Sequence, residues 1–104
     1  MYLMTQLVPI KMITIVALDS LQNRLIEDLK NCGMKGYTIV EVKGEGLYEQ
    51  HFTDWEGRNI RIETLVSEEK IMHIMEMLKE NYFEKYGVIA FVTNVEVLRN
   101  DRFD

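Results

Sequence analysis

Gly36-Tyr37-Thr38-Ile39-Val40-Glu41-Val42-Lys43-Gly44-Glu45-Gly46 reads as a strand of alternating side chains that runs into two glycines. Gly44 and Gly46 can take positive φ and expose main-chain N–H groups, so the strand ends either in a sharp turn or in backbone offered to a small ligand. A second strand, Arg58 to Val66, follows. It places Ile60, Ile62, Thr64 and Val66 on one face and Asn59, Arg61, Glu63 and Leu65 on the other. Between the two strands Glu45 to Gly57 is polar, acidic and aperiodic, and longer than a hairpin connection requires.

Working outward, Met12 to Leu18 is an apolar run broken only by Thr14, of strand length and rich in β-branched residues. Asp19 or Ser20 offers a helix N-cap, with Gln22 placed for a capping box with Asp19. Leu21, Leu25, Ile26, Leu29 and Cys32 then recur at helical spacing up to the terminator Gly33. Ser67 caps a second helix with Glu68 and Glu69 in its first turn, favourable against the helix dipole, and an inner stripe of Ile71, Ile74, Met75, Leu78 and Tyr82. Gly87 releases a last strand, Val88 to Leu98. Strand, helix, strand, strand, helix, strand is the split βαβ order. The expected fold is therefore α+β and ferredoxin-like, a four-stranded antiparallel sheet with two helices on one face.

The sheet has a second face to account for. Thr38, Val40 and Val42 oppose Tyr37 and Ile39, and Val88, Ala90 and Val92 oppose Ile89 and Phe91, so both faces are apolar. A bare second face would exceed the patch a monomer usually tolerates, which points to an oligomer.

At 104 residues the chain fits one domain, 1–104, with 47% hydrophobic and 28% charged residues, the balance of a soluble globular protein. A net charge of −5 gives no basic patch for nucleic acid. The single cysteine, Cys32, suits a reducing compartment, and no leader pattern or membrane-length apolar run is present, so the expected location is the cytoplasm without membrane insertion. No nucleophile elbow, Walker loop or dinucleotide fingerprint is found, and an enzyme is not expected. His51 stands among Glu45, Glu49, Asp54 and Glu56, donors that could suit a divalent cation, but a charge-rich loop is usually just solvated and no metal is assigned. His73 reads as structural. Tyr48, Phe52 and Trp55 are either local packing or anchors for a partner surface.

Gly36-Tyr37-Thr38, Glu41-Val42-Lys43-Gly44-Glu45-Gly46, the long segment at about 45–57 and Ile60-Arg61-Ile62-Glu63 together resemble the PII superfamily of signalling proteins. The stretch Tyr86 to Val92 with Val95 to Leu98 is similar to the branch associated with bicarbonate transport. The resemblance implies a regulatory homotrimer that binds an adenine nucleotide (AMP, ADP, ATP or cyclic AMP) or a similar small anion between subunits, with no required cofactor. It would signal through a mobile T-loop-like segment to a target protein or membrane transporter. By the same resemblance the ligand site comprises Gly36, Tyr37, Thr38, Gly44, Glu45, Gly46, Val66, Gly87, Val88, Arg99 and Arg102. Thr38 and the backbone at Gly44 to Gly46 would hold the ligand, Gly87 and Val88 would admit the base, and Arg99 and Arg102 would face phosphate. Where the nitrogen-regulatory branch carries a glycine-rich, lysine-bearing loop, this chain has Glu84-Lys85-Tyr86-Gly87. The alternatives are a structural or metal-responsive trimer like the CutA proteins, and a small dimeric enzyme in which His51 or Glu63 would act.

Overall fold

Residues 7–43 and 58–98 are described by the structure, a computed structural model. They build β1 (Val8–Leu18), α1 (Gln22–Asn31), β2 (Thr38–Val42), β3 (Asn59–Val66), α2 (Glu68–Leu78), a π-helical turn (Lys79–Phe83), α3 (Glu84–Tyr86) and β4 (Ile89–Val97). The strands form one antiparallel sheet in the order β2-β3-β1-β4, the ferredoxin-like arrangement.

Alternation along β3 decides which side of the sheet becomes the core. Ile60, Ile62, Thr64 and Val66 are buried while their neighbours are only half-buried. The register sets Ile62 beside Ile15 and Ile60 beside Ala17, so one face of the two central strands is continuous and apolar. Leu25 and Leu29 from α1 and Ile74, Leu78 and Tyr82 from α2 and its continuation close over that face. Burying an aliphatic side chain of this size contributes about 1.5–3 kcal/mol.

Three details depart from the expected elements. β1 begins at Val8 rather than Met12: before Lys11 it pairs with β4 alone, so Pro9, which has no N–H, sits where β3 offers no ladder partner to miss. The capping box at Asp19 does not form; residues 19–21 make a 3₁₀ turn instead, with the Asp19 N–H donating to the Arg58 carbonyl at 3.0 Å. Ser67 takes the N-cap position with extended backbone but makes no side-chain capping bond; the Lys70 N–H donates to its carbonyl at 3.1 Å.

The end of α1 follows the Schellman pattern. The Met34 N–H reaches the Leu29 carbonyl and the Gly33 N–H the Lys30 carbonyl, both at 3.0 Å, with Gly33 at φ 106°. Lys70 from α2 donates to the Gly33 carbonyl at 3.1 Å, and its Cε lies 3.0 Å from where a Cβ on Gly33 would stand. Gly33→Ala meets both a disfavoured backbone region and this side chain, an expected cost of about 1–2 kcal/mol. Gly36→Ala, with nothing within 4 Å of its Cβ position, should be close to neutral. Thermal melts check the pair: a Gly33→Ala midpoint lowered by roughly 5–10 °C against little change for Gly36→Ala.

Candidate functional site

Gly36, Tyr37 and Thr38 lead into β2, an edge strand. The Gly36 carbonyl accepts a 2.6 Å hydrogen bond from the buried Thr64 hydroxyl, which ties this segment to β3. Tyr37 is 40% exposed, with Lys30 Nζ 5.8 Å from its ring centroid, a loose cation–π contact. Thr38 pairs with Glu63, and Glu63 Oε2 faces Arg61 Nε at 3.2 Å in an ion pair that lacks hydrogen-bond geometry. Val66 is buried at the end of β3, with 2% of the whole residue exposed in the single chain.

The other expected residues stand far from these. Gly87, at φ 64°, is the left-handed stop of the helix, and Val88 is buried before β4, the opposite edge strand. One row across the sheet reads Thr38, Glu63, Thr14, Phe91. Three strand spacings make the width between Thr38 and β4 roughly 14 Å. Apart from Val66 on the inner strand β3, the described site residues of one chain therefore form two groups on opposite edges and do not meet around one small ligand. Gly44, Glu45, Gly46, Arg99 and Arg102 lie outside the described residues, as do His51, Tyr48, Phe52, Trp55 and the segment at about 45–57.

Between the two edges the face away from the helices is partly apolar. Phe91 is 48% exposed and Val40 37%, with the Arg61–Glu63 pair between them. On the helical side, a cluster absent from the sequence reading joins Arg24 and Asp28 of α1 to Tyr82 and Tyr86. The Tyr82 hydroxyl donates to Asp28 Oδ2 at 2.6 Å, and Arg24 Nη1 donates to the Tyr86 oxygen at 3.0 Å. Burial, then the bond to Asp28, pushes the Tyr82 phenol well above its ordinary range. The bond from Arg24 draws the Tyr86 phenol below it. Spacing at i, i+4 on both helices was visible in the sequence, but nothing there says that the two pairs meet.

His73 is exposed on α2, and the half-buried Cys32 thiol lies 3.9 Å from the His73 carbonyl, pushed up by burial and then by Asp28. Among the described residues no group of three or more His, Cys, Asp or Glu side chains is placed to hold a metal ion, and no helix is long and apolar enough to cross a membrane.

Comparison with known proteins gives a consistent set of relatives. The family model for nitrogen regulatory protein P-II matches residues 10–102. A PII-like signalling protein of Thermus thermophilus is 52% identical over 89% of this chain and 93% of its own, with a TM-score of 0.76. CPII from Thiomonas intermedia, bound to ADP, AMP and acetate, is 28% identical over 90% of this chain and 93% of its own, at a TM-score of 0.77. The same protein bound to ADP and bicarbonate gives 26% identity over 92% and 95%, at 0.79. No curated protein matches the chain.

Proposed function

The chain belongs to the nitrogen regulatory protein P-II family, and from that premise we propose that it is a homotrimeric regulator, not an enzyme, which binds an adenine nucleotide or similar small anion between subunits. One observation carries the reading. Gly36 to Thr38 and Gly87 with Val88 lie by the opposite edge strands of one sheet, so a small ligand can touch both groups only where β2 of one subunit meets β4 of another. The half-exposed Phe91 and Val40 on the open sheet face support the same assembly, since subunits packed on that face would cover them. CPII bound to ADP and AMP supports the ligand class. The segment at about 45–57 would report occupancy to a target protein or transporter, and the cytoplasm is the compartment this role requires.

In this reading Thr38 and the backbone of Gly44 to Gly46 hold the ligand, and Arg99 and Arg102 supply positive charge. A charge-assisted hydrogen bond is worth about 1.5–3 kcal/mol. Arg99→Ala is therefore expected to weaken ADP binding by roughly ten-fold or more without changing the mass of the assembly. Calorimetry with ADP, AMP and ATP, with and without magnesium, together with light scattering, tests this. A trimer that takes up none of them would leave the structural trimer as the better account. A monomer at micromolar concentration would remove both.

A further inference from the structure

Arg24 occupies an unusual place for an exposed arginine. Its guanidinium carbon lies 4.9 Å from the centroid of the Tyr82 ring and 5.2 Å from that of Tyr86, and the two rings are 5.9 Å apart and tilted by 50°. Both distances fall within the range of cation–π attraction, and Nη1 adds the hydrogen bond to the Tyr86 hydroxyl. The buried core is closed without this group: Tyr82 is 1% exposed and has its own bond to Asp28. What Arg24 holds is Tyr86, the last helical residue before Gly87. Gly87 has the freest backbone of any residue type and leads directly to Val88, so the direction in which the chain leaves the helix depends on what fixes the residue before it.

We propose that Arg24 is a positioning residue: by clamping Tyr86 it preorganises the Gly87–Val88 backbone as one wall of the adenine-nucleotide site. This rests on the functional reading above, in which that backbone admits the base. Where a phosphate-binding glycine loop would gain its shape on binding, α3 runs to Tyr86 and the clamp sets the exit in advance. Ordering a segment before the ligand arrives removes that cost from binding.

The test uses the full chain, ADP as probe, and the variants R24Q, R24K and Y86F. R24Q and Y86F should each weaken ADP binding by about five- to twenty-fold, the equivalent of leaving one residue's backbone to be ordered by the ligand. R24K keeps the charge but loses the flat stacking surface, and should recover part of the affinity. Ultraviolet titration gives a readout independent of ligand: the Tyr86 phenol, drawn down by the bond from Arg24, ionises at lower pH in the wild type than in R24Q, and its signal is the one missing from Y86F. Should R24Q fail to fold, Y86F keeps the ring in place and decides the matter. Affinities within two-fold of wild type in the folded variants overturn the proposal and leave the nucleotide reading standing, as would a Tyr86 titration that R24Q leaves unchanged. A wild type that gives no heat with ADP overturns both.

Discussion

Phe91→Asp is expected to convert the proposed trimer into a folded monomer. Phe91 lies on the sheet face away from the helices, in the row with Thr14, Glu63 and Thr38, and keeps 48% of its surface in the isolated chain. About half of a phenylalanine is roughly 100 Å² of apolar surface, worth about 2.5 kcal/mol when another subunit covers it. The aspartate loses that contribution and brings a carboxylate whose burial without a partner costs several kcal/mol more. Both terms recur in every subunit of a symmetric assembly, so the combined effect exceeds the whole free energy of a typical association. The monomer should remain folded because Phe91 is outside the apolar core. Light scattering checks the mass, and an unchanged trimer mass in the variant would show that the open face is not where the subunits meet.

Ile15→Ala is expected to give the largest loss of intrinsic stability, in the upper part of the 2–5 kcal/mol range for such truncations. Ile15 is 0% exposed, on the central strand, between Ile62 of β3 and Ala90 of β4. Hydrogen-bonded strands on both sides hold its backbone in place, so the cavity has little means of collapsing. A domain of this size commonly has 5–15 kcal/mol in total, so the loss is a large fraction of it. Urea unfolding at one fixed protein concentration is the measurement, since association adds to apparent stability. The midpoint should fall with an unchanged slope. Ile15→Val, which removes a single methyl group, should cost only about 0.5–1.5 kcal/mol.

The elements that the sequence announced are those whose burial is one-sided. Ile60, Ile62, Thr64 and Val66 alternate with half-buried residues, and Leu25, Leu29, Ile74, Leu78 and Tyr82 repeat at helical spacing, so each pattern names its own buried face. Features set by contacts between elements were not legible. Asp19 had the residue type for a cap, yet its N–H is taken by Arg58 from the distant start of β3. The start of β1 was hidden by Pro9 and Lys11, which interrupt the apolar run; Lys11 is placed by a 2.6 Å bond to Asn94, and Pro9 by the absence of a neighbour on one side. The same holds for the site. The candidate residues before β2 and before β4 came from the resemblance of their motifs, while their separation by the width of the sheet, and the contact of Arg24 with Tyr86, depend on strand order and helix packing.

The placement of β1 between β3 and β4 also governs how the molecule is made. Lys11 and Asn94, neighbours across the β1–β4 ladder, are 83 positions apart in the chain. During synthesis β1 emerges early, and the strand that seals its second edge emerges only after both helices and two other strands. Until then a long apolar strand has an unpaired side. Pairings of such sequence separation close slowly, because the entropy of the intervening loop is lost before any contact compensates for it. Aggregation during expression should accordingly be most sensitive to substitutions in β4, even those that leave the finished fold nearly as stable as before.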